Sequence, residues 1–227
     1  MWSVIGFAVF LMLLVIIVPI LYVLSLKKRQ AILQKTADRL GLEFVAEMPS
    51  FDFERLPLLT TKSSESYSNL ISGKMHGRDI QLFEYQYTVH GLKSAITYFF
   101  TVLVVYDDKD FELPTLALHP KSLSEKFFGL IAPNDCKFES DPEFSSRYML
   151  TTVQRKVVRL LFDQKFRDVI FDWPGGLHVE IHADKFLYFR PVQFKNKSIP
   201  ESVPLFIEAG FAALNLFIAA RDRSGAW

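Results

Sequence analysis

The sequence predicts an α+β fold: an N-terminal transmembrane helix followed by a mainly antiparallel sheet packed with helices. Three observations carry this. The first 26 residues are apolar and hold none of the 26 Lys+Arg or 25 Asp+Glu of the chain. Segments of strand-like alternation then follow one another across short Gly-containing turns, as in a meander. Helical spacings fall in blocks between and after the strands, which segregates helices from sheet.

Composition narrows the class further. The net charge of +1 over 227 residues gives no field to gather nucleic acid. A lone cysteine, Cys136, excludes an intrachain disulfide framework and a multi-cysteine metal site. Half the residues are hydrophobic and 22 are Phe, so the chain is not of the disordered class.

Residues 1–26 (MWSVIGFAVFLMLLVIIVPILYVLSL) supply the apolar length of about 20 residues that a bilayer core requires. Trp2 and Tyr22 lie about 30 Å apart on a helix rising 1.5 Å per residue, which sets both rings at headgroup level. Pro19 removes one backbone bond, which membrane helices tolerate. A cleaved signal peptide would need a basic start and a small-residue cleavage site, and neither is present. The expectation is a retained single-pass anchor in the inner (cell) membrane.

Lys27, Lys28 and Arg29 follow directly, with Lys35 and Arg39 beyond them. The positive-inside rule then places the N-terminus outside and the remainder in the cytoplasm. The same cluster, Lys27, Lys28 and Arg29, is a candidate contact for anionic lipid headgroups. Residues 27–41 read as a basic juxtamembrane helix that continues the membrane helix and ends at Gly41. Residues 42–220 read as the cytoplasmic α+β domain, and residues 221–227 as a tail.

Within that domain, 42–45 is a short strand. The polar run 60–69 (TTKSSESYSN) reads as a surface loop. Strands are expected over 70–75, 79–89 and 95–106, with a tight turn at His76-Gly77. The third is apolar on both faces, which marks a central strand. Residues 115–119 form a further strand and 122–130 a short helix. A strand over 147–152, a helix over 154–162 and a second helix capped by Asp163 follow. Residues 177–182 and 186–190 make a hairpin. The final helix, 201–220, is apolar almost all round. Its stretch 205–220 is short for a membrane span and contains Glu208, so it reads as a core helix.

The segments 69–87 (NLISGKMHGRDIQLFEYQY), 116–120 (LALHP), 140–150 (SDPEFSSRYML) and 186–191 (FLYFRP) resemble a family of uncharacterised bacterial membrane-anchored proteins. The resemblance spans most of 37–219. It implies a membrane-tethered single domain of bacterial origin and transfers no catalytic residue.

Candidate sites are few. His178, Glu180 and His182 alternate on one strand and so share a face. The outer two are about 13 Å apart at 3.3 Å per residue, too far for one metal ion, so the set reads as solvent-facing. Asp107, Asp108 and Asp110 lack the spacing of a calcium loop and read as a solvated turn. Cys136 has no neighbouring base, and His119-Pro120 reads as a strand end. Phe83, Tyr85 and Tyr87 have no basic stripe beside them and read as core or interface. Asn196-Lys197-Ser198 matches a glycosylation sequon that a cytoplasmic domain does not use. No nucleotide-binding, hydrolase or zinc-protease motif occurs. No catalytic, cofactor or metal residues are therefore assigned. The expected role is a non-enzymatic interaction or scaffold domain with an unknown protein partner. The alternative is a membrane-tethered hydrolase or ligand-binding sensor with a site assembled from sequence-distant residues.

Overall fold

The computed structural model describes residues 2–48, 64–90, 95–107, 111–121, 135–182 and 184–225. Eight strands form one antiparallel sheet in the order β1-β2-β3-β4-β8-β7-β5-β6. They are β1 (Glu43–Glu47), β2 (Ser64–Met75), β3 (Arg78–His90), β4 (Ala95–Tyr106), β5 (Leu116–Pro120), β6 (Tyr148–Thr151), β7 (Val179–His182) and β8 (Lys185–Arg190). Five described helices accompany them: α1 (Trp2–Leu40), α2 (Pro142–Arg147), α3 (Arg155–Leu161), α4 (Gln164–Phe171) and α5 (Ile199–Ser224). The α+β class with an antiparallel sheet is thus what the chain adopts.

Strand β4 pairs with β3 on one side and β8 on the other. Its Val102 and Val104 are buried on one face and its Leu103 and Val105 on the other, as its two-sided apolar pattern requires. The β2–β3 turn sits at His76 and Gly77, both at positive φ, which matches the right-handed twist of the hairpin.

The two faces of the sheet differ. One carries Ile80, Leu82, Leu103, Val105, Phe186 and Tyr188, in one cluster with Leu33 and Ala37 of α1 and with Ile207 and Phe217 of α5. The opposite face is an aromatic surface of Phe83, Tyr85, Tyr87, Phe100 and Phe189 around Val102 and Val104. Tyr67 stacks on Tyr85 with ring centroids 5.3 Å apart, and Tyr87 stacks on Phe100 at 5.9 Å. The aromatic strand residues are therefore buried core.

Helix α5 is long and apolar enough to cross a membrane. Ten of its residues, from Ile199 to Ala220, are buried in the fold. Gly210 lets it lie close on the sheet: a Cβ there would fall 2.4 Å from Leu103 Cδ2 and 3.3 Å from Tyr188 Cδ1. Glu208 stays at the surface, with its Oε1 3.0 Å from His76 Nε2.

Three expectations are corrected. Residues 64–69 are not loop but the start of β2, because Tyr67 packs on β3 and the strand pairs from Ser64↔Thr88 onward. Residues 142–147, where no helix is expected, form one; Asp141 caps it, accepting from Phe144 N at 3.0 Å, and proline opens it. The 221–227 tail is helical to Ser224, held where Arg221 Nη1 donates to the Phe111 carbonyl at 2.6 Å. Residues 27–40 continue α1 to Leu40, as expected, and their inward face joins the core through Leu33 and Ala37. The helix expected over 122–130 lies outside the described residues.

Candidate functional site

Two groups of buried polar side chains stand out, one on each face of the sheet.

The first lies on the helix-covered face. Every residue of α1 from 12 to 28 is exposed, and Arg29 is the first buried one. Its guanidinium pairs with both carboxylate oxygens of Glu84 on β3. Its Nη1 also donates to the Phe194 carbonyl at 2.5 Å and to Asn196 Oδ1 at 3.0 Å. A bulge in β2 between Ser68 and Ile71 brings Asn69, at φ 58°, over the same carboxylate. Asn69 Nδ2 donates to Glu84 Oε2 at 2.7 Å, and Gln193 Nε2 adds a longer bond at 3.3 Å. A carboxylate taken out of water needs such donors, and the guanidinium fork supplies two of the four. Arg29, expected at lipid headgroups, is therefore committed to the protein interior. Lys27 and Lys28 remain exposed.

The second group lies on the aromatic face. Strands β5 and β7 pair at Ala117↔Glu180 and Leu118↔Val179, which puts His119 and His178 next in register. Their ring centroids are 5.9 Å apart, and Phe189 packs against both, at 5.1 and 5.6 Å. Glu180 sits diagonally, its Oε1 3.4 Å from His119 Nε2. Glu180 is 1% exposed and both histidines 2%. The solvent-facing reading of His178 and Glu180 is thus wrong. The alternation correctly put them on one face, but that face is closed; only His182, at the strand end, is half-buried. His119, expected only as a strand end, is the third member.

The electrostatics follow from enclosure. Burial pushes the Glu180 carboxyl up to about 8 and both imidazoles down to about 3. All three side chains are neutral at pH 7. The 3.4 Å contact is too poorly aligned for a hydrogen bond, and Glu180 Oε1 and Oε2, His119 Nε2 and His178 Nε2 are buried without a hydrogen-bond partner. The cluster can take up or release a proton. Among the described residues, no three His, Cys, Asp or Glu side chains converge to hold a metal ion.

The other candidates stay apart. Asp107 pairs with Arg78 Nη1 and donates its backbone N–H to the Asp184 carbonyl at 3.0 Å, while Asp108 and Asp110 lie outside the described residues. Cys136 is a buried free thiol whose backbone N–H bonds to the Leu150 carbonyl at 2.7 Å.

No family model matches the chain, and neither does any curated protein. One solved structure is similar: the mycobacterial trehalose monomycolate transport factor A, TtfA. The likeness covers 85% of this chain and 93% of that one, with a TM-score of 0.51 and 14% identity. At that identity it shows a shared fold and nothing of activity.

Proposed function

We propose that the protein is a single-pass membrane protein whose cytoplasmic α+β domain serves as an interaction or scaffold module. The carrying observation is the abrupt change along α1. It is one continuous helix, yet Met12, Val15 and Tyr22 are well exposed while Arg29, Leu33 and Ala37 are enclosed. Apolar side chains exposed over so many consecutive turns are unfavourable in water and are what a bilayer covers. Lys27 and Lys28 at the boundary favour a cytoplasmic domain. Because the helix does not break before entering the core, the domain is held rigidly below the anchor, as suits a module that presents a surface to partners.

The enclosed His119–Glu180–His178 cluster is assembled from sequence-distant residues, as a hydrolase would require. Its burial denies substrate the access that hydrolysis needs, which leaves the scaffold reading ahead.

Alkaline carbonate extraction tests this reading. The full chain should stay in the membrane pellet. A chain lacking residues 1–26 should be soluble and folded, since Arg29 and everything after it is retained. Release of the full chain by carbonate would refute the anchor.

A further inference from the structure

We infer that the groove between the last turns of α1 and the start of α5 is a binding site for one anionic phospholipid; the inference rests on the reading that α1 crosses the bilayer. The groove has a volume of about 640 Å³. Ala31, Ile32 and Pro200 line its apolar part, and Lys28, Lys35 and Arg39 its charged part. Positions 28, 32, 35 and 39 form one stripe of α1, beside the stripe of Arg29, Leu33 and Ala37 that enters the core. The cations therefore face away from the sheet. Neither Lys28 nor Lys35 is in an ion pair with a described acidic residue. Arg39 is oriented by a bond from its Nη2 to the Pro200 carbonyl.

The chemistry is that of an amphiphile's polar end. Lys28 and Lys35 are about 10 Å apart along the helix, and Lys28 lies two residues past the apolar run. A phosphodiester between the two lysines would sit at the depth of the headgroup layer. The phosphate would then lie over Ala31 and Ile32, and the glycerol and acyl chains would run back past Lys28 toward the exposed apolar turns that end at Leu26. Arg29, the cation of the same cluster that faces inward, contributes nothing here because Glu84 occupies it. Lys27 is equally close to the membrane but does not line the groove.

The difference between Lys27 and Lys28 provides the test. Full-length protein extracted in mild detergent is offered equimolar phosphatidylglycerol and phosphatidylcholine, and native mass spectrometry counts the lipid retained. Wild type should retain phosphatidylglycerol in preference, with one molecule per chain. Lys28→Gln with Lys35→Gln should weaken retention by roughly fivefold per lysine, about 25-fold together. Lys27→Gln should match wild type. All three side chains are exposed, so each variant should melt with wild type, which excludes misfolding as the cause. Equal loss with Lys27→Gln, or no preference in wild type, would overturn the groove site while leaving the anchor intact. Full-length protein absent from the membrane fraction would overturn the anchor and this inference with it.

Discussion

Arg29 and Glu84, 55 residues apart in sequence, form a buried ion pair that fastens the root of α1 to the third strand of the sheet. The pair is the point at which an exposed apolar helix becomes part of a folded core. Asn69, Gln193 and Asn196 complete its hydrogen bonds. Removing one partner strands the other charge in a dry site.

Arg29→Ala should therefore cost roughly 3–5 kcal/mol, the usual penalty for an uncompensated buried charge. Arg29→Met combined with Glu84→Leu should cost less than Arg29→Ala alone, because no charge is left behind. Urea unfolding of the full chain in mild detergent measures both. A double variant that loses as much as Arg29→Ala, or more, would show that the cost does not come from a charge left unpaired.

Stability should depend on pH through the closed cluster on the other face. Glu180 titrates near 8 when folded, against about 4.3 in an unfolded chain. The folded state then holds the extra proton between those values, so this group's contribution is full below pH 4 and is lost as pH rises to 8. His119 and His178 act in the opposite sense. Each is held near 3 against about 6.5 unfolded, so their contribution is present above pH 6.5 and is lost as pH falls. Glu180→Gln keeps the shape and removes the first effect. Its melting temperature should rise relative to wild type on going from pH 5 to pH 8. A gap that stays constant across that range would show that Glu180 does not hold its proton.

The packing of α5 is set by Gly210. Gly210→Ala gains about 1 kcal/mol of helix propensity but drives a methyl into Leu103, where overpacking costs roughly 1–3 kcal/mol. The net should be a modest loss. Gly210→Val, with a larger overlap and less propensity gain, should lose more. Thermal unfolding ranks the three, and a neutral Gly210→Val would mean that α5 stands further from the sheet than described.

The sheet was legible because its strands carry their own pattern. Strand β4 is apolar on both faces and is central, and Asp163 caps α4 by accepting from Phe166 N at 2.7 Å. Residues 64–69 look like loop because their polar composition outweighs a single informative residue, Tyr67, whose partner Tyr85 comes from another strand. Helix α2 carries a readable start signal, Asp141-Pro142-Glu143. The buried cluster was half legible. Alternation fixes which residues share a face, but not whether the face is covered. His119 and Phe189 reach His178 only through strand order, which local pattern does not contain. Arg29 looked like its neighbours Lys27 and Lys28 because only Glu84, far along the chain, distinguishes it.

In the proposed topology α1 alone crosses the membrane and the domain lies in the cytoplasm. Paired topology reporters, one active only in the cytoplasm and one only in the periplasm, measure this directly when fused after Asn196 and after Trp227. Both positions should report cytoplasm, because Lys27 and Lys28 resist translocation and α5 is packed in the core. A periplasmic signal at Trp227 alone would make α5 a second span, and one at both positions would invert the topology; either result would overturn the single-pass cytoplasmic arrangement.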